Sequence, residues 1–109
     1  MIDWEKLRRL RFDIGRNDFE DVVSLFLAEA DAAIARLTNA KEPSEIVAEL
    51  DFLKGAALSL GFVPLANLCK GGLARLTDTG TGVDFNAIGN TYKTCRGELQ
   101  DKMVQVLGP

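Results

Sequence analysis

Few residues in this chain could do chemistry. There is no histidine, so no imidazole can serve as nucleophile, proton shuttle or metal ligand. Two thiols, Cys69 and Cys95, are too few for a disulfide framework, and their separation matches no zinc motif. They read as small core residues of a cytoplasmic protein. What remains is a carboxylate and an ammonium. Asp51 and Lys54 stand at i,i+3 and can pair if the segment is helical, and Gly55 follows at once. Between exposed side chains such a pair contributes only about 0.2–1 kcal/mol. The neighbouring acids, Glu45 and Glu49, are not at i±3 or i±4 from Asp51. The carboxylates therefore do not gather into a cation site, and neither a metal nor a cofactor is expected.

These residues must be positioned by helices, because the apolar pattern has a helical period almost throughout and shows no useful period-2 run. A short leading helix is predicted over about 3–12, carrying Trp4, Leu7 and Leu10 inward, with Gly15 breaking it. Asn17 and Glu20 have the spacing of a capping box that opens a second helix. Its apolar stripe runs through Phe19, Val22, Val23, Phe26, Leu27, Ala30, Ala33, Ile34 and Leu37, and 39–43 closes it. Ser44 can cap the third helix, whose core stripe is Ile46, Leu50, Leu53, Ala57 and Leu60, ended by Gly61. At ~100° per residue, Asp51 and Gly55 fall on the side opposite that stripe, with Lys54 at its edge. Pro64 opens a fourth helix, in which Gly71 and Gly72 are weak points. The glycine-rich stretch 77–83 reads as a turn, and Asp84 can cap a last helix through Phe85, Ile88, Tyr92, Cys95, Leu99, Met103 and Val106. Short connections force antiparallel neighbours. The expected fold is all-α: an up-down antiparallel four-helix bundle over about 17–107 with a short additional N-terminal helix, the whole 1–109 forming one domain.

Composition excludes several classes. A net charge of −3 speaks against nucleic acid as partner. The one basic cluster, Lys6, Arg8, Arg9 and Arg11, is flanked by Asp3, Glu5 and Asp13 and reads as a solvated helix face. No apolar run approaches the ~20 residues that span a bilayer, and Met1–Glu5 has no secretory-signal pattern. A cytoplasmic protein, expected to be a monomer, is the resulting picture.

The run Leu50–Phe62, L-D-F-L-K-G-A-A-L-S-L-G-F, resembles the signature helix of the histidine-containing phosphotransfer (HPt) domain, H-x-L-K-G followed by two small residues, x-x-L-G. The next segment, G-F-V-P-L-A-N-L-C-K-G-G-L, resembles that family's L-G-A-x-x-L-A-x-L-C-x-x-L-E continuation. The similarity covers roughly 17–107 and implies an HPt-like bundle in a bacterial two-component phosphorelay. It also implies a partner: a response-regulator receiver domain, or a sensor histidine kinase, docking over the exposed face of the third helix. Lys54 and Gly55 match the family positions. Asp51 stands where the phosphoryl-carrying histidine is expected.

That departure removes histidine phosphotransfer. A carboxylate can carry a phosphoryl group as an acyl phosphate, but normally beside a divalent ion held by further acids, and no such set surrounds Asp51. The resemblance therefore implies a non-enzymatic regulator. It would bind its partner through Asp51, Lys54, Gly55 and Leu58, with Ala48 and Phe62 adding small or apolar surface. Two alternatives stay open: a relay step with Asp51 as acceptor, and a helical scaffold subunit unrelated to phosphotransfer.

Overall fold

The computed structural model describes residues 1–108 and contains five helices: α1 (Trp4–Ile14), α2 (Arg16–Asn39), α3 (Pro43–Leu60), α4 (Val63–Thr79) and α5 (Phe85–Leu107). Helices α2 to α5 form a four-membered bundle in which each packs on its chain neighbours and α2 closes the ring against α5. Helix α1 lies across one end, touching α2, α3 and α5. The result is a rod with principal extents of 45 × 21 × 21 Å. No helix among the described residues is long and apolar enough to cross a membrane.

The stripes read from spacing meet in one core. Phe19, Val23, Leu27, Ala30, Ala33 and Leu37 come from α2, and Leu50, Leu53, Ala56, Ala57 and Leu60 from α3. Leu65, Ala66 and Cys69 come from α4, and Ile88, Tyr92, Cys95 and Leu99 from α5. Both cysteines are buried and free. Burial pushes the Cys69 thiol up to about 11, with the Lys54 charge opposing it, and burial also raises the Cys95 thiol. Both thiols are therefore poor nucleophiles at neutral pH.

Several boundaries differ from the sequence reading, each for a local reason. Helix α1 runs on to Ile14, and Gly15, at φ +90°, turns the chain so tightly that α2 starts at Arg16. No side chain caps α2, so Asn17 and Glu20 do not form a capping box. Helix α3 starts one residue before Ser44, with Pro43 in its first turn, where a missing N–H costs nothing. Helix α4 passes unbroken through Gly71 and Gly72 and takes up Thr77, Asp78 and Thr79. Gly72 faces α3: a Cβ on it would lie 3.3 Å from Leu50 Cδ1, so the bare backbone suits the close packing of α4 on α3. Asp84 caps α5 as its position suggests, accepting from the Ala87 N–H at 2.9 Å.

The α3–α4 corner is the tightest point of the fold. Gly61 sits at φ +72°, and its carbonyl accepts a 2.7 Å hydrogen bond from the Asp3 N–H. A Cβ at Gly61 would lie 2.6 Å from the Asp3 carbonyl oxygen. Next to it, Ile2 and Phe62 form an isolated antiparallel bridge. The segment before α1 is thus strapped onto the end of α3, with Ile2 buried beneath it.

Candidate docking face on the third helix

The turns of α3 sort its residues onto two sides. Leu50, Leu53, Ala57 and Leu60 are buried, whereas Ala48, Asp51, Gly55 and Leu58 are exposed. One outward row reads Val47, Asp51, Lys54 and Leu58, and the row beside it reads Ala48, Phe52, Gly55 and Ser59. Five of the six residues expected on the face therefore come together.

Phe62 does not join them. It is fully buried, its ring 6.4 Å from that of Tyr92. A helical projection that carries Phe62 outward assumes that α3 continues past Gly61. The left-handed turn at Gly61 ends the helix and swings Phe62 into the core. Phe62 is a packing residue and cannot contact a docked partner.

Asp51 is the most solvated group of the face. Its side chain is 71% exposed, and its carboxylate lies 3.6 Å from Lys54 Nζ. Lys54 is more sheltered, at 31%, with its charge felt at Cys69 of α4. Around this pair the surface is apolar or bare. Val47, Phe52 and Leu58 are 43%, 40% and 48% exposed, and nothing lies within 4 Å of where a Gly55 Cβ would be. Gly55 is thus not required by packing inside the domain. The same holds for Gly89 and Gly97 on α5. What sets Gly55 apart is its place between a charged pair and exposed apolar side chains.

Phe52 is part of this face and was not legible from spacing. It lies on the α2 side of α3, where the Arg36 guanidinium stands 6.0 Å over its ring and pairs with Glu49. Sequence shows that Phe52 is off the core stripe. It does not show that a cation from α2 holds the ring in place.

A second polar group ties α2 to α5. Arg96 donates to both oxygens of Asp31 at 3.0 and 2.9 Å, and Tyr92 Oη donates to Asp31 and approaches the Leu27 carbonyl oxygen at 3.2 Å. The Arg96 hydrogen bond holds the Asp31 carboxyl below its ordinary value of 3.8 against partial desolvation, with Tyr92 assisting. Burial, reinforced by Asp31, pushes the Tyr92 phenol well above its ordinary range. A depressed acid stabilises the fold above its unfolded pKa, and that contribution fades as pH falls through the folded value. Asp31→Asn is therefore expected to be less stable than the wild type at pH 6–7. The gap in Tm should close as pH is lowered from about 5 to 2.5. Melting curves across that range check it, and a gap independent of pH would remove the carboxylate from the explanation.

Among the described residues no group of three or more Cys, Asp or Glu side chains is arranged to hold a metal ion. The face can therefore offer charge, bare backbone and apolar contact, but no assembled cation site beside Asp51. A family model described as the Hpt domain matches residues 21–102. The chain belongs to this family. The match takes in most of α2, all of α3 and α4 and most of α5, the ring of four helices, and leaves α1 outside. No curated protein and no solved structure matches the chain. Hpt domains serve phosphorelay signal transduction and typically interact with receiver domains or kinases.

Proposed function

We propose that this Hpt domain is a non-catalytic binding module of a two-component phosphorelay, cytoplasmic and monomeric, that docks a receiver domain or a sensor histidine kinase through the outer face of α3. The observation that carries the reading is Asp51 at the centre of that face, in a chain without histidine. Lys54 and Gly55 stand beside it at the family's motif positions, Leu58 and Ala48 add apolar and small surface, and Phe52 widens the apolar rim. The substitution removes the nucleophile of phosphohistidine chemistry and leaves the contact surface intact. A domain of this kind sequesters its partner or competes with a phosphotransfer-competent relative.

Aspartyl transfer is disfavoured on physical grounds. Asp51 pairs with Lys54 and, among the described residues, belongs to no cluster of three or more acids that could hold a divalent ion, so only Lys54 would offset the charge of an incoming phosphoryl group. The test uses receiver domains and sensor kinases from the source organism. The wild-type chain is expected to bind at least one of them and to gain no phosphoryl mass on incubation with phosphorylated receiver and magnesium. Absence of binding across the panel overturns the docking reading. A hydroxylamine-labile mass gain overturns the non-catalytic one.

A further inference from the structure

The charge of the chain is unevenly placed. Residues 1–16 hold Lys6, Arg8, Arg9, Arg11 and Arg16 against Asp3, Glu5 and Asp13, a net +2. The whole chain is −3, so the remaining residues carry −5. The end of the bundle where this segment lies thus carries a basic stretch, beside Asp18, Glu20 and Asp21 at the start of α2.

At that end the C-terminus of α1, the start of α2 and the last turn of α5 enclose an open groove of about 410 Å³. It is lined by Arg8, Arg11, Phe12, Gly15, Arg16 and Leu107. Two of the arginines are held in place: Arg11 donates to the Leu107 carbonyl at 2.7 Å and Arg8 to the Val106 carbonyl at 3.5 Å. These bonds satisfy the exposed carbonyl end of α5 and fix two guanidinium groups at the groove wall. Ordering them costs a ligand little, because their rotamers are already restricted. Arg16 is exposed and makes no hydrogen bond or ion pair among the described residues. Phe12 is 87% exposed, more than any other large apolar residue described. A smaller, more enclosed depression shares Arg11, Arg16 and Leu107 with it, takes in Glu20, and reaches Val104, itself 59% exposed.

We propose that this groove receives an acidic peptide segment of a partner protein, with one aromatic or large aliphatic side chain covering Phe12 and carboxylates meeting Arg16 and the fixed arginines. Charge complementarity selects the occupant. A free anion would use the guanidinium groups and leave Phe12 in water. An extended anionic surface, lipid or nucleic acid, would also lie against Glu5 and Asp13 on α1, which repel it. A short peptide can place its acids on Arg11 and Arg16 and avoid both, Glu5 being already paired with Arg8 at 3.7 Å. The groove is built from α1, α2 and α5, so it operates independently of the α3 face.

Selection of displayed random 12-residue peptides on the intact chain tests this. The wild type is expected to enrich peptides with several Asp or Glu and one aromatic or large aliphatic residue, at least about tenfold over the naive library. The Phe12→Ser/Arg16→Glu double variant should lose that enrichment. Both positions are exposed, so its circular dichroism and Tm should match the wild type within a few degrees. Unchanged enrichment with the double variant overturns the proposal, as does enrichment of peptides without acids or no enrichment at all. Sedimentation of the wild type with phosphatidylserine vesicles, in the absence of selected peptides, would give the groove to a lipid surface and also overturn it.

Discussion

Phe62→Ala is expected to cost the domain about 3–5 kcal/mol of stability, a large share of the ~5–15 kcal/mol typical of such folds. Phe62 is fully buried, packs against Tyr92 of α5, and carries the backbone bridge to Ile2. Deleting its ring leaves a cavity where α1, α3, α4 and α5 converge, and the bundle can relax into it only by moving several helices at once. The companion variant Leu58→Ala removes a side chain that is 48% exposed and should cost well under about 1 kcal/mol. In urea or thermal melts the first should lose at least about 10 °C in Tm and the second a few degrees at most. A Phe62→Ala protein that melts like the wild type, or binds partner worse while equally stable, would return Phe62 to the surface.

Gly55→Arg tests the docking face with a comparably large effect on binding. The site has open space on every side, so the long side chain meets nothing within the domain. Arginine is also a better helix former than glycine, by roughly 0.5–1 kcal/mol. Stability is thus expected to rise slightly. On the proposed docking reading binding should fall, because a guanidinium on a three-carbon stem would stand between Asp51 and Ser59 on the face given to the partner. Loss of a well-packed central contact typically costs 2 kcal/mol or more, about thirtyfold in Kd. Titration of the partner by calorimetry or interferometry, beside a melting curve, reads both changes. Opposite signs are the expected signature: firmer fold, weaker complex. The matching variant Gly97→Arg on α5, which is half-buried but likewise has nothing within 4 Å of its Cβ position, should raise stability and leave that complex alone. If Gly55→Arg binds as tightly as the wild type, the partner does not cover α3.

The two variants mark how far the sequence could be read. Within a helix the period of 3.6 is a reliable ruler. Leu50, Leu53, Ala57 and Leu60 were assigned inward and Ala48, Asp51, Gly55 and Leu58 outward, and each is where the spacing puts it. The ruler fails one residue past a helix end, which is why Phe62 was misplaced: the turn at Gly61 resets the direction of every side chain after it. Local propensity misled at two further points. Gly71 and Gly72 weaken a helix in isolation, but a bare Gly72 suits the close approach of α4 to Leu50. Asn17 and Glu20 have capping-box spacing, but Gly15 makes the turn first and leaves them inside the helix. What could not be read at all is contact between helices. Asp31, Tyr92 and Arg96 are separated by 61 and 65 residues, and Arg36 reaches Phe52 across a loop. No periodicity within one helix carries that information.

The strap that joins Asp3 to Gly61 also has a consequence in time. Four polar contacts of the first turns run far forward along the chain: Asp3 to Gly61, Met1 to Glu98, and Arg11 and Arg8 to Leu107 and Val106, 96 and 98 residues ahead. A chain is synthesised from its N-terminus, and domains assemble as their parts emerge. Here the segment before α2 emerges ahead of its partners, with no seat until α3 has ended and no fixed arginines until α5 is complete. Residues 1–14 are therefore among the last of the bundle to be secured, and α1 closes a bundle that the later helices have already built.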